Sequence, residues 1–410
     1  MKLLRDLLLA ALGVLVVLAC LETSLRLLDI RFSTVFIRVD PVLGYALRPN
    51  TKGWEDSNYY TTNSDGMRDR EHAIARPPDT LRIAVLGDSM TEAIQVPLDK
   101  SYPSVLQKSL QACIGRGSPK IEVLNFGVIG YNLAQDYLTL REKVWKYDPQ
   151  VVVVALGDNA PLENSPRLDP TFTRPRPYFV LVNGKLQLDS PLGGYASRSA
   201  RMHDKITAFT NQFELAKLFK QDLSDLSADL HHFIVDMKTK FGKPSVEGAL
   251  PKPDLVSYLP PSDTDTTNAW AVTEAGLTKI ARAVREHDAV FQVFYIGMSG
   301  QLLPVQQRRA FARSLGVNDL NYADERLRDW STEEGVTLFD VVPDLQQVAD
   351  RLHVYLRGVD GEGHFNVPGN YYLGTTLAQR YCDFLHDSAE GRTLLQSVEG
   401  ASVLQASRLH

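Results

Sequence analysis

The sequence predicts a doubly wound α/β fold: five parallel strands with helices on both faces, interrupted by one long insertion. Three observations carry this. Apolar runs of strand length recur five times, with helical stretches between and after them. The third run, Gln150 to Leu156 (Gln-Val-Val-Val-Val-Ala-Leu), is apolar without alternation, as suits a strand buried on both faces. The rhythm stops between about residues 160 and 265 and then resumes.

The chain opens on a segment that resembles none of this. Leu7 to Leu21 carries no charged or strongly polar side chain, and Lys2 and Arg5 precede it. At ~1.5 Å per residue the run covers roughly 22 Å, short of the ~30 Å bilayer core. Continuing it to Leu28 gives enough length if Arg26 snorkels. We take residues 1–30 as a retained membrane anchor, single-pass through 7–28. A cleaved signal peptide, a lipoprotein signal (Val17-Leu18-Ala19-Cys20 resembles a lipobox) and a buried core helix are the alternatives. In all but the last, the positive flank stays in the cytoplasm and the bulk of the chain is exported. The main domain is then expected outside the cytoplasm.

Residues 31–80 form a turn-rich lead-in with Asp40-Pro41, Pro49-Asn50 and Asn63-Ser64-Asp65-Gly66, read as short β structure. The main domain, residues 81–390, starts with strand Leu81 to Leu86, the turn Gly87-Asp88-Ser89, and a helix from about Tyr102 to Cys113. Ile121 to Phe126 is the second strand. A loop with Gly127 and Gly130 follows, then helix from Ala134 to Lys146. The third strand ends in Gly157-Asp158-Asn159. In the insertion, Tyr178 to Leu188 with Asn183-Gly184 at its centre predicts a hairpin, and Ser199 to Phe241 is largely helical. Helix Ala271 to His287, strand Ala289 to Ile296, a helical region from Val305 to Asp329 broken near Gly316, strand Val336 to Phe339, a glycine-rich loop from Gly358 to Asn366, and helix Asn370 to Leu385 complete the domain. Residues 391–410 are read as a tail.

Composition excludes some functions. Among 410 residues, 44% are hydrophobic and 23% charged, and the net charge of −5 is spread without long single-sign runs. That argues against a nucleic-acid partner. The three cysteines, Cys20, Cys113 and Cys382, form no Cys/His cluster with zinc spacing. Neighbouring helix positions point about 100° apart, so His231-His232 reads as part of a polar face rather than a metal site. No metal or cofactor is expected, and the first loop lacks the glycine pattern that cradles phosphates.

The chemistry concentrates in four loops: at Ser89, Gly130, Asn159 and His364. Loops after parallel strands gather on one edge of the sheet. A serine hydroxyl is a weak nucleophile unaided, and His364 is the candidate base. The N–H groups of Ser89 and Gly130 and the Asn159 amide are candidate oxyanion donors. A carboxylate just before His364, Asp360 or Glu362, would orient the imidazole. Taken singly, Ser89 could cap a helix, Gly127 and Gly130 could be turn glycines, and Asn159 and His364 could be loop residues. Asp88, Asp158 and Asp340 read as structural. Arg68 either reaches the site or pairs locally.

Taken together, the set resembles the SGNH/GDSL hydrolase family. Gly87-Asp88-Ser89 looks like its first block, Asn125-Phe126-Gly127-Val128-Ile129-Gly130 its second, Gly157-Asp158-Asn159 its third, and Asp360 to His364 its last. Asp40 to Tyr45, Asn63 to Arg68 and Leu21 to Arg26 look like a bacterial branch with a membrane-tethered N-terminus. The resemblance implies a flavodoxin-like three-layer α/β/α fold and a metal-free serine esterase or O-acyltransferase. Two departures stand out. The family spaces its last pair Asp-x-x-His, whereas Asp360 lies four residues before His364 and Glu362 two before it. Ala160 replaces the aspartate that usually follows the block asparagine. In a flavodoxin-like order the helices holding Cys113 and Cys382 share a face, so an exported domain is open to a disulfide between them, with two buried thiols the alternative. The expected substrate is an acyl ester, with cell-envelope polysaccharide the first to test. The rival reading is a non-catalytic carbohydrate-binding or assembly subunit with a degenerate site.

Overall fold

The computed structural model describes residues 2–55, 58–115, 119–157, 160–168, 174–192, 197–221, 255–361 and 363–406, with side chains to 398. Helix α1, Lys2–Leu27, has none of its residues buried. At ~1.5 Å per residue it is about 39 Å long, which exceeds a bilayer core. Its length and apolarity are those of a membrane anchor or a signal sequence.

The lead-in is β-rich, as expected. Strands β1, Ile37–Asp40, and β2, Gly44–Leu47, pair antiparallel, as do β3, Lys52–Glu55, and β4, Asn58–Thr61. Their inner residues Phe36, Tyr45, Leu47 and Tyr60 pack with Ile94, Val128, Tyr131 and Leu138 of the main domain. The lead-in is therefore a buttress against the loops that carry the second sequence block.

The main sheet holds β5, Thr80–Leu86, β6, Lys120–Asn125, β7, Val151–Leu156, β10, Val290–Tyr295, and β11, Thr337–Asp340. All pairs are parallel, and the order is β11-β10-β7-β5-β6. Counted from β6, that is strands 2-1-3-4-5, the flavodoxin-like order. β5 and β7 are buried along their whole length, which explains the unbroken apolar run of β7; in β5 the buried Arg82 is paired with Glu122. Strand order reverses between them, so the loops after β5 and β7 flank the crevice where such sheets bind ligands.

Between β5 and β6 run α2, Ser89–Glu92, and α3, Tyr102–Ile114; α4, Leu133–Thr139, follows β6. The helix expected to Lys146 is α-helical only to Thr139. A π turn over Leu140–Val144 and a 3-10 turn over Trp145–Tyr147 complete it, and Asp148 closes it in the left-handed region. The insertion supplies α5, Ala160–Glu163, the hairpin β8, Tyr178–Val182, with β9, Lys185–Asp189, and α6, Arg198–Thr210. Asn183 and Gly184 both have positive φ, as a tight two-residue hairpin turn demands.

Helix α7, Thr264–Arg285, begins seven residues before the expected Ala271, because Asp263 and Thr266 form a capping box. The region from 305 breaks into α8, Val305–Ser314, and α9, Tyr322–Glu334, at the interruption expected near Gly316. Helix α10, Val342–Leu352, was not anticipated from the sequence. Asp340, expected as a turn residue, accepts from Val342 N at 3.0 Å and so starts it. Helix α11, Val367–Asp387, packs along α3, and the Cys113–Cys382 disulfide joins them with 6.4 Å between Cα atoms. Residues 389–406, read as mostly tail, form α12, Ala389–Ala406, which buries Leu394 and Val398. His231-His232 lies outside the described residues.

Candidate active site

β5 delivers the chain to Gly87-Asp88-Ser89 at the switch point. The Asp88 carboxylate caps α2 by accepting from Met90 N at 2.8 Å. Ser89 is thus the first helical residue rather than the cap, and its hydroxyl is left for another partner. That partner is His364, whose Nε2 lies 2.7 Å from Ser89 Oγ across 275 residues of sequence.

The His364 loop is held at both ends. Gly358 N donates to His364 O at 3.0 Å, and Asn366 Nδ2 donates to Tyr355 O and Gly358 O, each at 2.8 Å. Beneath it lies the buried Arg357. Its guanidinium donates to Gly297 O at 2.7 Å, Ser299 Oγ at 3.2 Å and Gly363 O at 3.3 Å, and sits over the Phe365 ring. One buried cation therefore ties the His364 loop to the loop after β10. Asp360 stands exposed in the turn before His364. Glu362, Asp158 and Asn159 lie outside the described residues.

The Gly130 loop is clamped from four sides. Asn125 ends β6; its Oδ1 accepts from Gly127 N at 2.9 Å and its Nδ2 donates to Thr91 O at 2.9 Å. A Cβ on Gly127 would come within 2.6 Å of Glu92 N, so only glycine lets this loop lie against α2. Ile129 N donates to the Glu92 carboxylate, and Tyr45 donates its hydroxyl to Ile129 O at 2.9 Å. Arg176 Nη1 donates to Gly130 O at 2.6 Å. The Ile129 carbonyl belongs to the same peptide plane as the Gly130 N–H, so Tyr45 sets that donor's direction. Gly130 itself has φ +68°, a conformation side chains resist.

Three buried ionisable side chains stand behind this arrangement. Arg68 does not reach the Ser89 hydroxyl. Its guanidinium donates to Glu92 O at 2.7 Å, Ala93 O at 2.5 Å and Val96 O at 2.5 Å, which satisfies the carbonyls at the end of α2. Burial pushes the Glu92 carboxyl up, against its bonds from Tyr60 and Ile129. Burial, with the neighbouring Asp88 charge, pushes Asp136 well above the carboxylate range, opposed by the Gly87 N–H. Asp136 borders a cavity of about 20 Å³ shared with Gly87, Asp88, Gly157 and Asn164. Sequence reasoning passed over Tyr45, Glu92, Asp136, Arg176 and Arg357. The available signal was an acid within an apolar stretch: Asp136, with Gln135 before it, lies between Leu133-Ala134 and Tyr137-Leu138.

No family model matches the chain, and no curated protein matches it in sequence. Solved structures do align. The acetyl xylan esterase AlAXEase matches at 13% identity and TM-score 0.36, covering 73% of this chain and 98% of that one. A psychrotrophic esterase, EstA from Pseudoalteromonas sp., matches at 11% identity and TM-score 0.37, covering 75% and 100%. A catalytic mutant of Axe2, an acetylxylan esterase from Geobacillus stearothermophilus, matches at 12% identity and TM-score 0.37, covering 73% and 92%. Similarity this remote assigns no activity, so function must be argued from the site.

Proposed function

We propose that the protein is a serine esterase or O-acyltransferase of the SGNH/GDSL type. The observation that carries this is the 2.7 Å contact between Ser89 Oγ and His364 Nε2 at the switch point of a parallel sheet. Ser89 Oγ attacks the ester carbonyl carbon as its proton passes to His364 Nε2. The negative charge on the carbonyl oxygen is received by Ser89 N–H, Gly130 N–H and the Asn159 amide; one such donor typically contributes about 2.7–4 kcal/mol to the transition state. Collapse breaks the C–O bond, and the imidazolium gives its proton to the leaving alcohol. The acyl-Ser89 ester is then cleaved by water, or passed to a sugar hydroxyl, with His364 as base again. Asp360 or Glu362 orients the imidazole.

Helix α1 and the Cys113–Cys382 disulfide support an extracytoplasmic domain tethered to a bacterial inner membrane. Cell-envelope carbohydrate bearing O-acyl groups is the substrate that fits this location. The test is fluorophosphonate labelling with hydrolysis of p-nitrophenyl acetate. Wild type should label and turn over. Ser89→Ala should do neither, and His364→Ala should lose most of both. Absence of labelling in folded wild type would favour the carbohydrate-binding subunit instead.

A further inference from the structure

Helix α6 is inverted relative to an ordinary surface helix. Met202, Ile206 and Phe209 are 55%, 52% and 60% exposed, and Phe213 just beyond the helix is exposed too. At about 100° per residue the directions of Met202, Ile206 and Phe209 fall within about 60° of one another, on one face. The side turned to the domain is polar. Asp204 pairs with Arg48 at 2.5 Å, Asn211 Nδ2 donates to Val35 O at 2.8 Å, and Thr207 is buried. These directions lie roughly 160° from the apolar stripe. Arg198, Arg201 and Lys205, all exposed, form a row beside it. An outward apolar stripe flanked by basic residues is the pattern of a helix lying in a membrane interface.

The occupant is indicated by what adjoins the stripe. The end of α1 is bonded to the segment just past α6. Arg26 Nη2 donates to Gln212 O at 2.6 Å. The Glu22 carboxylate accepts from Glu214 N at 3.1 Å and Leu215 N at 2.9 Å, capping the helical segment 214–221. Leu27 and Leu28, at the exit of α1, are exposed as well. The rings of Phe209 and Phe213 stack edge-on at 5.3 Å beside this junction. The apolar stripe is thus continuous with the surface by which α1 would meet lipid.

We propose that α6 lies in the headgroup region of the same bilayer that α1 spans. Met202, Ile206, Phe209 and Phe213 insert at the acyl-chain boundary, and Arg198, Arg201 and Lys205 meet anionic headgroups. The catalytic domain is then held at a fixed height and orientation, not swung on a flexible tether. The proposal rests on α1 being a retained anchor.

The test uses the full chain with Cys20→Ser, keeping the Cys113–Cys382 disulfide. Single cysteines at Phe209→Cys, Met202→Cys, Leu12→Cys and Val359→Cys carry an environment-sensitive fluorophore. The protein is reconstituted in phosphatidylethanolamine–phosphatidylglycerol vesicles with brominated acyl chains. Labels at Leu12, Met202 and Phe209 should be quenched at least twofold, and the label at the exposed Val359 should not be. Quenching at Leu12 alone would overturn the proposal while leaving the anchor intact. No quenching at Leu12 would overturn the anchor and the proposal together.

Discussion

Arg176, from the insertion, and Gly130, from the loop after β6, are joined by a 2.6 Å hydrogen bond with the arginine buried. In the proposed mechanism the arginine is a positioning residue: it touches the carbonyl of Gly130, whose N–H is a proposed oxyanion donor. Arg176→Met should lower kcat by about tenfold to a hundredfold, the scale expected when a reacting geometry is displaced by about 1 Å. KM should change little, because the loss falls on the transition state. Arg176→Lys should recover part of kcat. A variant whose melting temperature falls while kcat of the folded fraction is unchanged would show that the bond serves stability only.

Arg68 tests the other side of the same assembly. It closes α2, and its charge faces the buried Glu92. Arg68→Met should destabilise the domain by about 3–5 kcal/mol, because three buried carbonyls lose their donor. Urea unfolding measures it. A change below about 1 kcal/mol would mean that the carbonyls find other donors.

The extent to which sequence revealed this site follows from how local each signal is. Strands β5 and β7 are buried on both faces, so their apolar runs were plain, and Ser89 and His364 stood in loops with distinctive glycines. Ser89 and His364 meet as those loops suggested. The clamps on Gly130 were not visible, because Tyr45, Glu92 and Arg176 come from the lead-in, α2 and the insertion. Nothing in the spacing of those residues records that they converge. Helix α10 was hidden for a different reason. It begins only two residues after β11 ends, and its start, Val341-Val342-Pro343, carries no side-chain cap. For Arg68 both roles stayed open, because a charge after a tight turn is as compatible with substrate as with a structural partner.

Asp324 gives the fold a pH dependence away from the serine. It accepts from Gln301 Nε2, and burial, followed by the nearby Asp340 charge, pushes its carboxyl up to about 7. The folded state therefore holds a proton here that the unfolded chain releases near pH 4. Stability from this group is complete below pH 4 and is lost as pH rises to about 7. Asp324→Asn removes the titration while keeping a side-chain carbonyl to accept from Gln301. Denaturant midpoints measured from pH 5 to 8.5 should fall more steeply in wild type than in the variant. Parallel curves would show that Asp324 does not titrate in this range.

The disulfide bears on the base as well as on stability. It joins α3 to α11, and α11 starts three residues after His364. At that start, Asn370 Oδ1 accepts from Tyr102 N at 2.9 Å and Asn370 Nδ2 donates to Phe365 O at 2.8 Å. The same two helices that the disulfide locks therefore hold the residue after the base. Its sequence separation of 269 residues makes it a long-range crosslink, so the unfolded chain loses much freedom when it forms. Replacing both cysteines by serine should cost about 2–4 kcal/mol. Reductant should lower the melting temperature of wild type and leave the double variant unchanged. Activity at low temperature should survive in both, since Asn370 still bridges Tyr102 and Phe365. Wild type whose Cys113 and Cys382 both alkylate after denaturation without reductant would refute the crosslink. Activity lost on reduction at a temperature where the fold persists would instead place the disulfide among the supports of His364.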